Sequence, residues 1–351
     1  MTRRALRGPA LPARWLAETG VPFGLRSALC ALATLWLAMR LELDTPHWAA
    51  WTVLAIVLPT RGQVGLKGLW RVAGTLVGLV AGVAAVAAFA QAGLAMGAFL
   101  SVWFALNAYA GSRLPGFPAH GAALSGLTAG LIAILSAAAP LSAFATALAR
   151  GAEIMLGVAC VYVASAIAEV VQGPPEHPAP PPSGMPDAAA ALANAARTLL
   201  VTGAAWAVWT ATAWPSGGVF VLFSGVVAVI FATIPDADRR SRAYLWGAGL
   251  GLGAGLVVKY GLLVAPTSFG LLAATLFPFL FIGAVGMTDP RTASAALGYN
   301  LSFLIAVTPA NPMQYDLAAS LNQCLAVFAG IAFATAAFRL VLPDRLWRAG
   351  R

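Results

Sequence analysis

Charge is what this sequence has least of. Only 9% of its 351 residues are Asp, Glu, Lys or Arg, while 60% are hydrophobic. Soluble domains carry about 25% charged residues, so a water-facing surface cannot be built from this chain. Histidine is scarcer still, at three residues. His47, His120 and His177 are scattered, and no His/Glu pair has metal-ligand spacing. There is no Cys-x-x-Cys and no G-x-x-x-x-G-K-[ST] loop. A resident metal or cofactor, an ATP-driven pump and an enzyme therefore have no motif to rest on. The three cysteines, Cys30, Cys160 and Cys324, all lie in apolar runs and read as small packing residues without a disulfide.

What is present is apolar sequence in runs long enough to cross a bilayer, about 17–25 residues each. The chain reads as an all-α integral membrane protein with the lipid bilayer as its solvent. Twelve spans are expected, at 24–41, 47–60, 68–90, 94–111, 119–138 and 148–169, then 192–213, 217–234, 243–264, 268–286, 293–309 and 318–341. The basic start and first apolar run mimic a signal peptide. The run continues through Arg40-Leu41-Glu42 into further spans, so an uncleaved first helix is expected. A proline-rich stretch from Gln172 to Asp187 reads as an extended linker.

Net charge is +9. The basic residues cluster between spans, at Arg3, Arg4, Arg7 and Arg14, at Arg61, Lys67 and Arg71, at Arg239, Arg240 and Arg242, and from Arg339 to Arg351. The positive-inside rule explains this better than nucleic-acid binding does. It places both termini in the cytoplasm. Arg40, Arg150 and Lys259 fall on the outer side, where Lys259 is expected to snorkel to the interface.

The two halves echo each other at an offset of roughly 170–176 residues, estimated from their Gly and Pro landmarks. Gly74-xxx-Gly78 is answered by Gly249-xxx-Gly253, and Pro140 by Pro309. The expected units are a first six-helix repeat over 1–170, a linker over 171–190 and a second six-helix repeat over 191–351. An even span count makes the repeats parallel, with a pseudo-two-fold along the membrane normal.

Candidate chemistry concentrates in the first half. Gly74, Gly78 and Gly82 lie on one helical face, as do Gly247, Gly251 and Gly255, and read as close helix packing. The spans beginning at His47 and Gly217 are short or Pro/Gly-interrupted, a pointer to a transport path, although a tilted interfacial helix reads the same way. Arg61, Lys67, Arg71 and Arg113, with His120, fall at cytoplasmic span ends beside helix N-termini. Together they would gather carboxylates, or they express topology alone. Arg71 stands apart because it lies within the start of a helix. Its counterpart in the second half is expected near Trp246, without charge. Trp48, Trp51 and Tyr109 offer aromatic surface, and Asn107 a polar group. Glu153 is a candidate proton carrier, or the partner of Arg150 three residues before it.

At Pro46-x-Trp48-Ala49-x-Trp51-Thr52-Val53, then Arg61-Gly62, then Arg71-x-x-Gly74-Thr75-x-x-Gly78, the sequence resembles the fusaric acid resistance family. That family belongs to the aromatic acid exporter superfamily, which also holds the plant aluminium-activated malate channels. The resemblance covers residues 20–170 and, more weakly, 190–341. It implies an inner-membrane exporter of aromatic or other small organic acids. Some members work with a periplasmic adaptor and an outer-membrane channel. The family-motif positions here are Pro46, Trp48, Arg61, Gly62, Arg71, Gly74, Thr75 and Gly78. Many members carry a sizeable cytoplasmic domain between their blocks, where this chain has only the proline-rich linker. An organic-anion channel and a non-transporting membrane scaffold are the alternatives. Oligomeric state, substrate and coupling ion are left open.

Overall fold

The computed structural model describes residues 20–59, 62–114, 116–172, 187–234, 236–264 and 268–342. A helix stands at each of the twelve expected positions. In chain order these are α1 Val21–Arg40, α2 His47–Ile56, α3 Val64–Phe89, α4 Gly93–Arg113, α5 Phe117–Leu135 and α6 Ala143–Gln172. They continue with α7 Ala188–Thr212, α8 Gly217–Ala232, α9 Ala237–Val257, α10 Phe269–Gly286, α11 Ala293–Val307 and α12 Leu317–Leu340. A π-helical turn, Val258–Leu262, extends α9. Arg61 and most of the proline-rich linker lie outside the described residues.

Local chemistry sets the helix ends. The side chains of Asp187, Ser268 and Asp316 accept backbone N–H groups at the starts of α7, α10 and α12. Pro22 and Pro118 sit in the first turns of α1 and α5, where a missing N–H costs nothing. Helix α2 stops at Ile56 because Val57 is extended ahead of Leu58-Pro59, and proline disfavours helix in the residue before it. Gly62, at φ 82°, then turns the chain into α3.

Among the described residues nine helices are long and apolar enough to cross a membrane; α2, α8 and α11 are shorter, at 10, 16 and 15 residues. Ten residues reach about 15 Å, half of a ~30 Å hydrocarbon core. The shortness of α2 matches the sequence expectation. That of α11 does not, because the expected span ran to 309 whereas the helix ends at Val307 and Thr308 turns left-handed.

Packing repeats along the chain. Helix α3 packs on α5 and α9 on α11; α2 packs on α6 and α8 on α12; α1 packs on α10 and α7 on α4. Parallel α3 and α5 touch backbone to backbone. A Cβ added at Gly74 would lie 2.0 Å from the Gly121 carbonyl oxygen, and one at Gly78 would lie 2.6 Å from that of Ser125. In the second half the close approaches are Gly247 to Ala295 and Gly251 to Tyr299, at 1.8 and 2.2 Å. Small residues allow this contact, which carries helix association where no water drives it.

That contact corrects the register taken from the sequence. Gly253 faces open space and Gly249 meets only the Phe328 ring, so the ladder answering Gly74 and Gly78 is Gly247 and Gly251. The position answering Arg71 is accordingly Tyr244, which is buried against Phe231, and not the exposed Trp246.

The connections gather at two faces. At one, Asn194 at the start of α7 donates to Ser112 and to the Ala232 carbonyl, at the ends of α4 and α8. Nearby, Arg339 of α12 pairs with Asp238 of α9 at 3.0 Å. This is the hinge face, which also holds the α2–α3 turn. At the other, the α1–α2, α9–α10 and α11–α12 connections surround an open vestibule of about 980 Å³.

The glycine contacts predict an unequal cost of added side chains. Gly247→Leu should destabilise the detergent-solubilised protein by about 1–3 kcal/mol, the usual range for overpacking. Gly253→Ala should stay within about 0.5 kcal/mol of the parent. Thermal unfolding midpoints measure both, and equal midpoints would remove the ladder from the scaffold.

Candidate functional site

The residues that the sequence singles out converge on short helix α2. Its ten residues are almost all buried. Trp48 and Trp51 lie one turn apart, with ring centroids 5.4 Å apart and planes tilted by 56°. Each ring carries a guanidinium from a neighbouring helix. Arg71 of α3 lies 5.3 Å from the Trp51 centroid, and Arg150 of α6 lies 5.5 Å from that of Trp48. Arginine suits this place because its planar, weakly hydrated cation stacks on aromatic faces and keeps its N–H fork in the ring plane.

The two arginines differ in what balances them. Arg150 is 4% exposed and meets Glu153, fully buried one turn later, through Nη1–Oε2 at 3.1 Å and Nη2–Oε1 at 3.2 Å. Glu153 Oε1 also accepts the Thr45 backbone N–H at 2.8 Å and the Thr45 hydroxyl at 2.7 Å. This carboxylate is thus held by a cation and two further donors from the α1–α2 connection. Of the two sequence alternatives for Glu153, the structure contains the ion pair with Arg150.

Arg71 has no such partner. It is 2% exposed, and its Nη2 donates to Thr52 Oγ1 at 3.1 Å. Among the described residues its Nε and Nη1 have no hydrogen-bond acceptor, and no carboxylate forms an ion pair with it. An uncompensated charge in such a place is costly, several kcal/mol even after relaxation. A cavity of about 10 Å³, the size of one water, lies beside it. Trp48, Arg71, Thr128 and Arg150 supply its polar and aromatic lining, and Leu127, Leu131 and Ile154 the rest.

Lys67 and His120 stand on the hinge side of this cavity. The Lys67 ammonium donates to the Ala55 carbonyl at 2.9 Å, closing the last turn of α2, where a cation suits the free carbonyls. His120, near the start of α5, is within electrostatic reach of Lys67 and Arg71, and its buried Nε2 has no partner among the described residues.

The remaining sequence candidates lie elsewhere. Asn107 bonds to the Trp103 carbonyl of its own helix. Tyr109 is 39% exposed on the outside of α4, and Arg113 ends that helix. None of the three lines the cavity. Pro46 caps α2, Thr75 is buried one turn after Arg71, and Gly74 and Gly78 hold α5. Lys259 is 3% exposed and does not snorkel, because the π-turn carries it inward to hydroxyl partners on Thr308 and Ser320. Thr45, Thr52 and Thr128 were missed. Thr52 lies inside the quoted aromatic motif, which is the one signal the sequence carries for it; nothing local marks Thr45, whose partner is 108 residues away.

The fusaric acid resistance protein family model matches this chain twice, over residues 21–172 and 168–351. An uncharacterized transporter of Gluconobacter oxydans is 32% identical over 153 residues, 44% of this chain and 21% of that protein. The p-hydroxybenzoic acid efflux pump subunit AaeB of Escherichia fergusonii is 27% identical over 161 residues, 43% of this chain and 25% of that protein. Its Shigella boydii counterpart is 25% identical over 158 residues, 42% and 24% of the two chains. The matched stretches therefore span a quarter or less of these relatives. No solved structure matches the chain.

The Arg150–Glu153 pair predicts a double-mutant signature. Arg150→Met should cost about 3–5 kcal/mol by leaving a buried carboxylate unbalanced. Adding Glu153→Met should recover part of that loss. Unfolding midpoints of the single and double variants measure it, and a double variant no better than the single would show that the two groups are uncoupled.

Proposed function

Because the chain belongs to the fusaric acid resistance protein family, we propose that it exports organic carboxylates, aromatic ones foremost, with Arg71 as the group that holds the anion. The observation that carries this reading is the Arg71 guanidinium, buried on the Trp51 ring with two nitrogens unpartnered among the described residues. A carboxylate would accept from one of these nitrogens and balance the charge, and charge-assisted guanidinium–carboxylate bonds are strong. Trp48 and Trp51 give an aromatic ring something to lie on. The name of the AaeB relatives, p-hydroxybenzoic acid efflux pump subunit, fits that substrate class.

The cavity is far smaller than a benzoate, so binding requires α2, α5 or α6 to move. That favours an alternating carrier over a standing channel. Lys67, His120 and, by its sequence position, Arg61 would draw the anion from the hinge face, which this reading places in the cytoplasm. Export down an inside-negative potential gains about 2.3 kcal/mol per charge for each 100 mV. We place the protein in a bacterial inner membrane with both termini inside. Its twelve helices form two parallel six-helix repeats, 1–170 and 191–351, joined by the linker over 171–190. The double family match and the recurring helix pairs support that repeat. The word subunit in the relatives' name supports an adaptor and an outer-membrane channel as partners. We assign proton coupling to Glu153: taking up a proton would remove the charge that holds Arg150 and leave a second guanidinium for the substrate.

Efflux of labelled benzoate and p-hydroxybenzoate from energised cells tests the main reading. Arg71→Gln should lower the rate at least ten-fold at unchanged membrane levels, and parental flux in that variant would refute the assignment. Glu153→Gln cannot exchange a proton, so its efflux rate should no longer vary with pH. A pH profile like the parent's would take Glu153 out of the coupling.

A further inference from the structure

A further buried cation lies in the other half of the chain, near the vestibule end of α9. Lys259 is 3% exposed, within the π-turn that ends α9. Such turns are rare and recur at functional sites because one extra residue re-aims the side chains around it. The ammonium donates to Thr308 Oγ1 at 2.9 Å and to Ser320 Oγ at 3.2 Å. Both acceptors are neutral. Asp316 acts on it electrostatically but caps α12 through the Ala319 N–H, and it forms no ion pair with Lys259. Two hydroxyls half-replace water around an ammonium and leave its charge uncompensated.

Its position relative to the first site is informative. His47, the first residue of α2, is within electrostatic reach of both Arg150 and Lys259. Arg150 shares a cavity with Arg71. On the other side, Ser320 accepts the Tyr260 hydroxyl at 2.8 Å, and the Tyr260 ring meets Tyr315 edge-on, with centroids 6.3 Å apart. Tyr315 and Pro46 both line the open vestibule. Arg71 and Arg150 thus share one cavity, His47 feels both Arg150 and Lys259, and Tyr315, against Tyr260, opens onto the vestibule.

We propose that Lys259, with Thr308 and Ser320, is a second carboxylate-binding station, which receives the anion between Arg71 and the vestibule. The hydroxyls keep the empty ammonium in place and yield to a carboxylate, which Tyr260 and Tyr315 shield from the vestibule until release. This station rests on the export reading, and it makes the second half of the chain a contributor to the path. Two weak sites in series allow an anion to leave where one deep site would retain it.

Equilibrium dialysis of labelled benzoate against the detergent-solubilised full chain tests the station without requiring transport. The parent should bind two benzoates per chain. Lys259→Met and Arg71→Gln should each bind one, and Lys259→Arg should restore the second. Ser320→Ala, which removes one competing acceptor, should tighten the Lys259 site at least three-fold; this milder change also covers the case in which Lys259→Met does not fold. A single parental site, lost in Arg71→Gln and untouched by Lys259→Met and Ser320→Ala, overturns the station and leaves the Arg71 reading intact. Binding lost in Lys259→Met alone overturns Arg71 and keeps the station. A parent that binds no benzoate overturns both.

Discussion

Backbone contact between parallel helices is the constraint on which this structure rests. At Gly74 and Gly78 in one half, and Gly247 and Gly251 in the other, there is no room for a single added carbon. Packing replaces the hydrophobic effect here, because lipid is as apolar as leucine. The contact also sets the site. Arg71 lies three residues before Gly74, so the closeness of α3 to α5 carries its guanidinium inward, against Trp51 and beside Thr128. A wider spacing would give that charge a way out to lipid headgroups or water.

Around that frame the protein treats its buried cations unequally. Arg197 of α7 is 1% exposed, and carbonyls of Val341 and Leu342, just beyond α12, accept from it, as does Asn194 Oδ1. It closes a helix end. Arg150 has Glu153. Arg71 and Lys259 have hydroxyls and aromatic rings, and no ion pair among the described residues. Buried charges of the first two kinds stabilise an arrangement, whereas the last two are the ones we propose to take an anion.

The two halves share packing and differ in chemistry. Where the first has Arg71, the second has Tyr244 against Phe231. The second half supplies its cation from the far end of the same helix, in the π-turn. The packing can recur while the side chains differ, because backbone contact depends on the glycines and not on the residues between them.

The membrane class and the helical character were legible in the sequence, because a scarcity of charge, apolar run length and proline punctuation are local properties. So were the glycine faces, and the sequence also singles out Arg71, Trp48 and Trp51, which the fold brings together around α2. Tertiary structure alone decided which glycines meet a partner, since Gly247 and Gly249 sit in the same ladder and only neighbouring backbone distinguishes them. It alone decided that Glu153 is held by Arg150 and Thr45, that Tyr109 faces outward, and that Lys259 turns inward. The physical reason is the same in each case. A charge or ring near a span end has several favourable places within reach of its own helix, and the choice among them is made by groups from helices distant in sequence.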